Sequence, residues 1–537
     1  MIPSALPIGF TLVAVTAAAA VLARRLRAPS AITLVLVGLG LGFVPGMPRV
    51  ALRPDLVMTL LMPPLLYSAG VGMSWRGFKT YLRPILLLAV GLVIFTALSV
   101  AALVHGLLGM PLAGGLVLGA VISPPDAVAP MAIARRIRVP ERILTVLEGE
   151  GLVNDATALI LFSFAVAAVT QGGGFSPLSA AGGFLAIVGG EIAWGILVGW
   201  GSLAIRRWAR EPQVEMVVAL LAPFAAFWVP DALGGSGVLA TVTAGLYVSW
   251  NGPRFISPAT RLQGFFVWDL VTYLIEGVVF LLTGLQAPVI ADHIDRADWR
   301  HLVLAALLVS AAVIAVRFVW VFAATWAARL LWPPSRRAPT PWRHVFVVAF
   351  TGIRGVVSLA AALSIPLAAQ GAPFPGRDTI LFITFVVILV TLVGQGFTFG
   401  WVVRRLGVDR DGAAEAAEAK RREVKARLAG IETAIARLDM AAEDRAASRG
   451  VIEAVRRHLN DRRAYYVAAC QDLGGGAASA LYPALQLAFL DVERDAIWEQ
   501  YVKGAIDDEA RRRIERELDL DDSRIRHAAA SGASRLV

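Results

Sequence analysis

Long apolar stretches separated by short polar loops recur from residue 6 to residue 403. Thirteen can be delimited, at 6–23, 30–46, 54–70, 84–105, 111–134, 143–169, 181–205, 214–230, 236–250, 266–288, 301–328, 342–365 and 379–403. Most reach the roughly 17–25 residues a helix needs to cross a bilayer. Inside lipid the backbone must satisfy its own hydrogen bonds, so uninterrupted runs of this kind predict transmembrane helices. The loops alternate in charge. Those after the first, third, fifth, seventh, ninth and eleventh stretches are basic, for example Arg24, Arg25 and Arg27, or Arg135, Arg136, Arg138 and Arg142. The other loops carry only Arg49, Arg53, Arg296, Arg300 and Arg377. Basic residues collect on the cytoplasmic side of short loops, which predicts an outside N-terminus and a cytoplasmic C-terminal tail.

Two stretches break in their middles. The fifth contains Ser123-Pro124-Pro125-Asp126-Ala-Val-Ala-Pro130, where three prolines within seven residues cannot share one helical ladder. The twelfth contains Thr351-Gly352-Ile353-Arg354-Gly355. The two run in opposite directions, and interrupted helices in corresponding inverted positions point to a transporter site near the midplane. Asp126 falls at the start of a second half-helix, where the dipole is positive, and Arg354 follows a first half-helix, where it is negative. Beyond Arg405 the composition turns to Ala, Glu and Arg with helical spacing over 411–465. Gly474-Gly-Gly476 is a break before a second helical part at about 480–520. The division expected is therefore a membrane domain at 1–405 and a helical cytoplasmic region at 406–537.

Composition agrees with the pattern. The 537 residues are 57% hydrophobic and 17% charged, against about 25% charged in a soluble domain. The mean hydropathy is +0.67. A net charge of +10 is compatible with a nucleic-acid partner, but from Arg404 onward acids and bases balance at 24 each. The excess is loop charge of the membrane part, so no nucleic-acid partner is expected. A single cysteine, Cys470, excludes an internal disulfide and a cysteine metal site. The first apolar stretch lacks a basic leader, which predicts a retained helix rather than a cleaved signal.

Candidate chemistry centres on Glu148-Gly-Glu-Gly-Leu-Val-Asn154-Asp155-Ala-Thr-Ala-Leu-Ile160. Counted from Ile143, Asp155 lies about 18 Å along the sixth helix, near mid-bilayer. A carboxylate is costly there and implies either a functional ion or a structural ion pair. Asn154 supplies a neutral oxygen beside it, a combination suited to a hard cation losing its water. Arg317, at mid-depth in the eleventh stretch, needs a carboxylate, and Glu150 shares its depth. Glu276 and Glu191 read as helix–helix contacts. His105, His293 and His301 fall at span ends without forming a metal cluster, so no metal beyond a transported cation and no cofactor is expected.

Ser123-Pro-Pro-Asp-Ala-Val-Ala129, Leu147-Glu-Gly-Glu-Gly-Leu-Val-Asn-Asp-Ala156 and Gly352-Ile-Arg-Gly-Val-Val-Ser-Leu359 together resemble the monovalent cation:proton antiporter family. The similar branch is that of sodium/proton exchangers with an Asn-Asp pair on the sixth helix. Met62-Pro-Pro-Leu-Leu-Tyr67 and Phe280-Leu-Leu-Thr-Gly-Leu-Gln286 extend the likeness over about 6–405. The resemblance implies an all-α polytopic fold of about 13 transmembrane helices, with inverted repeats and two crossed discontinuous helices. It implies a homodimer in the plasma membrane of the cell, the inner membrane where there are two. Asp155 would bind ion or proton beside Asn154, Glu150 would pair with Arg317, and Arg354 would match a family arginine. Asp126 joins Asp155 and Asn154 as a candidate ion- or proton-binding residue, either a fixed counter-charge or the taker of a second proton. The chain departs from the family at Gly151 and Pro125, where relatives often carry hydroxyl residues, and at Ser68, where many have Glu. These departures bear on ion selectivity more than on mechanism.

The function expected is electroneutral exchange of a monovalent cation, Na+ first, for H+ by alternating access, contributing to pH homeostasis. The alternatives are exchange of K+ or Li+ for H+, or a cation channel regulated by the tail. A channel would need a continuous polar lining or a ring of carbonyls, and no filter-like repeat is present. An intramembrane enzyme would need a nucleophile–base pair or a histidine metal motif, and neither appears.

Overall fold

The apolar stretches are helical. The computed structural model describes residues 5–26, 28–45, 49, 52–171, 177–292, 294, 299–331, 340–369, 371–443, 449–471, 477–503 and 505–532. Gly474–Gly476 and the loop residues Arg27, His293, Arg296, Arg336 and Arg337 lie outside them. The chain opens with α1 (Ala5–Leu26), α2 (Ser30–Gly42), α3 (Pro54–Gly72) and α4 (Leu82–Leu108). The proline-rich stretch gives two pieces, α5 (Leu112–Ile122) and α6 (Val128–Ile137). Next come α7 (Glu141–Gln171), α8 (Pro177–Ala209), α9 (Pro212–Ala232), α10 (Val238–Asn251), α11 (Pro258–Leu285) and α12 (Trp299–Leu331). The second broken stretch is α13 (Trp342–Phe350) and α14 (Val356–Leu363), and α15 (Arg377–Arg405) closes the series.

Among the described residues nine helices are long and apolar enough to cross a membrane. The stretches expected at 30–46, 111–134, 236–250 and 342–365 are instead short helices. Two are single pieces of 13 and 14 residues, and two are pairs of 11 with 10 and 9 with 8 residues. In α3, Pro63 has no N–H to offer the Thr59 carbonyl one turn back. That carbonyl accepts from Trp228 Nε1 at 3.0 Å instead, beside a widened turn at Val57–Leu61.

Small residues let helices meet backbone to backbone, which replaces hydrophobic drive inside lipid. Gly38 on α2 and Gly284 on α11 show it. A Cβ on Gly38 would lie 2.2 Å from the Leu281 carbonyl oxygen, and one on Gly284 would lie 2.1 Å from that of Val35. One apolar cluster joins α2, α3, α10, α11 and α14, and a second joins α4, α5, α12, α14 and α15.

The first compact unit spans Met1–Gly412 and the second Ala413–Val537. The first unit runs seven residues past the expected boundary at 405 because the following segment packs onto it. Val408 is fully buried, His344 Nε2 and Asp411 Oδ2 lie 3.0 Å apart, and Gly412 abuts the Arg138 carbonyl. The described residues of the tail form four helices, α16 (Val408–Glu443), α17 (Arg449–Gln471), α18 (Ala477–Val502) and α19 (Asp508–Gly532). Val424, Ile431 and Tyr466 form one small core there, and Leu490, Leu518 and Ile525 form another.

Candidate functional site

The two broken helices meet at their breaks. The Asp126 N–H donates to the Ile353 carbonyl at 2.7 Å, and Asp126 Oδ1 accepts from the Val128 N–H at 2.9 Å, in the first turn of α6. A Cβ on Gly355, the residue before α14, would lie 2.6 Å from both the Asp126 Cβ and Oδ2. The carboxylate therefore faces the N-terminal ends of α6 and α14 together. Arg354 is its counterpart. Its Nε donates to the Ile122 carbonyl at 2.9 Å, at the end of α5, and Nη1 donates to the Gly352 carbonyl just beyond α13. One acid thus faces two positive helix ends and one base two negative ones, so each fixed charge compensates partial charges from both helices.

α7 runs past this crossing and presents two faces. Glu150 and Asn154, four residues apart, lie on its buried side. Glu150 pairs with Arg317 of α12, with Nη2 to Oε2 at 2.8 Å and both side chains at most 2% exposed. Arg317 also donates to the Val348 carbonyl from Nη2 at 3.1 Å, so the pair pins α7 to α12 and α13. Asn154 Nδ2 donates to the Pro125 carbonyl at 2.7 Å, while its buried Oδ1 has no hydrogen-bond partner among the described residues. The asparagine expected beside the ion thus ties α7 to the first break.

Gly151 and Asp155 lie on the neighbouring face and line a cavity of about 650 Å³. Asp126, Ser68, Tyr67 and Ser358 line it as well, and it reaches the surface beside Arg135 and Arg261. Asp155, 14 residues into a 31-residue helix, sits near its middle. Among the described residues no ion pair reaches Asp126 or Asp155. Gly151 has a steric reason: a Cβ there would lie 2.5 Å from the Ala127 Cβ, which leaves no room for a hydroxyl side chain.

Two residues of the crossing escape the sequence reading. Thr391 and Gln395 come from a widened turn of α15, Val390–Gln395. Thr391 Oγ1 accepts the Arg354 N–H at 3.0 Å, and Gln395 Nε2 donates to the Phe350 carbonyl at 3.1 Å. Their four-residue spacing in an apolar run was the available signal. Glu276, expected to make a helix–helix contact, lines the cavity instead. Glu191 does serve packing: it accepts from the N–H groups of Ser236, Gly237 and Leu239 at 2.6, 3.0 and 2.9 Å, at the start of α10.

Comparison with known proteins identifies the family. Residues 11–405 match the family described as sodium/hydrogen exchanger, transmembrane. An uncharacterized Na+/H+ exchanger of Mycobacterium bovis is 36% identical over 95% of this chain and 94% of its own. The Na+/H+ antiporter ApNhaP of Aphanothece halophytica is 31% identical over 76% of this chain and 75% of its own. A sodium, potassium, lithium and rubidium/H+ antiporter of Bacillus pumilus is 32% identical over 67% and 56%. In fold, the sodium proton antiporter MjNhaP1 of Methanocaldococcus jannaschii aligns with a TM-score of 0.60, 19% identity, and coverage of 75% of this chain and 98% of its own.

Proposed function

This chain belongs to the sodium/hydrogen exchanger family, and from that membership we propose that Asp155 is the carboxylate at which Na+ and H+ take turns. The protein is a multi-pass membrane transporter that exchanges Na+ for H+. The observation that carries the residue assignment is the cavity, which leads from exposed arginines to two carboxylates, Asp126 and Asp155, that no ion pair reaches among the described residues. An ionised carboxylate in that setting is expensive. It is neutralised either by a proton or by a cation shedding water, and one group does not hold both. If such a site faces the two sides in turn, the two flows are coupled.

Asp126 takes a different part in this reading. Its hydrogen bond to the Val128 N–H and its place at two helix N-termini suit a permanent negative charge. Only Asp155 then changes its load, and exchange is one proton for one cation without net charge transfer. Asn154 holds the crossing in register, and Glu150 with Arg317 anchors the helix that carries Asp155. Na+ is favoured over K+ because the matching family and most of the relatives named above are sodium exchangers.

In this reading the charge of the loops supports a cavity mouth on the cytoplasmic side of the plasma membrane, a cytoplasmic C-terminal tail and an N-terminus outside. The conformation is then inward-facing, and the working unit is a homodimer serving pH homeostasis. The direct test is dequenching of a pH-sensitive dye in inverted vesicles on addition of Na+, K+ or Li+ in turn. A dequenching with Na+ that is absent from vesicles lacking the protein is the expected result, and none with any cation would overturn the reading.

A further inference from the structure

Glu276 is left over once the antiport machinery has been assigned. It sits two-thirds of the way along α11, whose back packs on α1 and α2: a Cβ on Gly277 would lie 2.3 Å from the Thr16 Cγ2, and Leu281 meets Gly38. The front of the same helix faces the cavity, which Asp269, Thr272, Glu276 and Phe280 all line. Their spacing of three or four residues puts them in one stripe. The stripe runs from the exposed Asp269 inward, and seven residues, about 10 Å, separate Asp269 from Glu276.

The charge on the wall is unbalanced. Three arginines line it (Arg135, Arg206 and Arg261), against five carboxylates. Arg135 is taken by Glu148, and Arg206 Nη2 donates to the Tyr67 hydroxyl at 3.5 Å. Arg261 lies 15 residues before Glu276 on the same helix, about 22 Å away, too far to pair with it. Among the described residues no ion pair reaches Glu276. A cleft lined by excess charge of one sign concentrates the opposite ion, and here the excess leads to Asp155.

We propose that Glu276 is a cation-handling residue on the path between the cavity mouth and Asp155, holding the partly hydrated monovalent cation while the central carboxylate exchanges its proton. The inference rests on the reading of Asp155 as the exchange residue. Asp269 recruits the cation at the mouth, Glu276 holds it, and Asp155 strips its remaining water. No bond is made or broken, and the cation simply moves between carboxylates.

The test is a Na+ titration of exchange in proteoliposomes holding the full-length protein, with Asp155→Asn, Glu276→Gln, Glu276→Asp and Asp269→Asn. Glu276→Gln is expected to raise the apparent KM for Na+ about tenfold with maximal velocity held within about twofold, because a local concentrating effect is lost. Glu276→Asp should stay near wild type. Asp269→Asn should raise KM by a smaller factor that shrinks at high ionic strength, where exposed charge is screened. An unchanged KM in Glu276→Gln, or a loss of velocity alone, overturns the proposal. If Glu276→Gln proves unstable, an unchanged KM in Asp269→Asn overturns it. Normal exchange by Asp155→Asn would instead refute the underlying assignment, whatever Glu276→Gln does.

Discussion

The main-chain hydrogen bond from Asp126 to Ile353, 2.7 Å long, joins two helix breaks that lie more than two hundred residues apart in sequence. Gly355 makes that crossing possible, since any Cβ there would sit on Asp126. Gly355→Ala should therefore force the crossing open at a cost of about 1–3 kcal/mol. Lower thermal stability in detergent together with slowed exchange is the expected pair of readings. Wild-type behaviour in both would mean the crossing tolerates displacement.

Asp155→Asn removes the carboxylate proposed to carry proton and cation in turn. Na+-driven proton movement in vesicles should vanish while the protein still inserts and elutes as the wild type does. Retained exchange with ordinary Na+ affinity would exclude Asp155 as the carrier.

Glu150 and Arg317 form a buried pair, so removing one partner strands the other's charge. Glu150→Leu or Arg317→Met alone should cost about 3–5 kcal/mol, and the double change far less, because two apolar groups strand nothing. A double variant as unstable as the sum of the singles would show that the two act independently. Thermal unfolding of all three alongside the wild type decides it.

Gly151 stands 2.5 Å, counted from a built Cβ, from the Ala127 side chain. Gly151→Ser, which restores a hydroxyl one helical turn from Asp155, should push α7 off the break and lower both stability and exchange. Adding Ala127→Gly should return both, since it removes the obstructing methyl. A well-behaved Gly151→Ser single variant would show that α7 has slack at this contact.

Coupling is expected to be electroneutral on the proposed reading, in which only Asp155 changes its load. In proteoliposomes clamped at zero or −100 mV with potassium and an ionophore, the Na+ gradient that balances a given pH gradient should be the same. A second proton per cycle would add one transported charge, worth about 2.3 kcal/mol per 100 mV. A balance point that moves with voltage would assign that proton to Asp126.

The sequence by itself determined which segments are apolar, where two of them must break, and which charged residues are stranded at mid-depth. Those properties are local: run length, proline's missing N–H, and the cost of a charge in lipid act on residues near one another in the chain. Depth along a helix can also be counted, so Glu150 and Arg317 could be matched without coordinates.

Direction around a helix axis and crossing geometry cannot be counted in that way, and there the tertiary structure decided. It turned Asn154 toward Pro125 while Asp155 faces the cavity, because neighbours on a helix point about 100° apart. It set Arg354 against carbonyls from both broken helices, and brought Thr391 and Gln395 from α15 to the second of these helices. It left no space for a side chain at Gly151 and aimed Glu276 into the cavity. Each outcome depends on how closely two distant helices approach and at what rotation, quantities set by the packing of the whole bundle rather than by any one stretch of it.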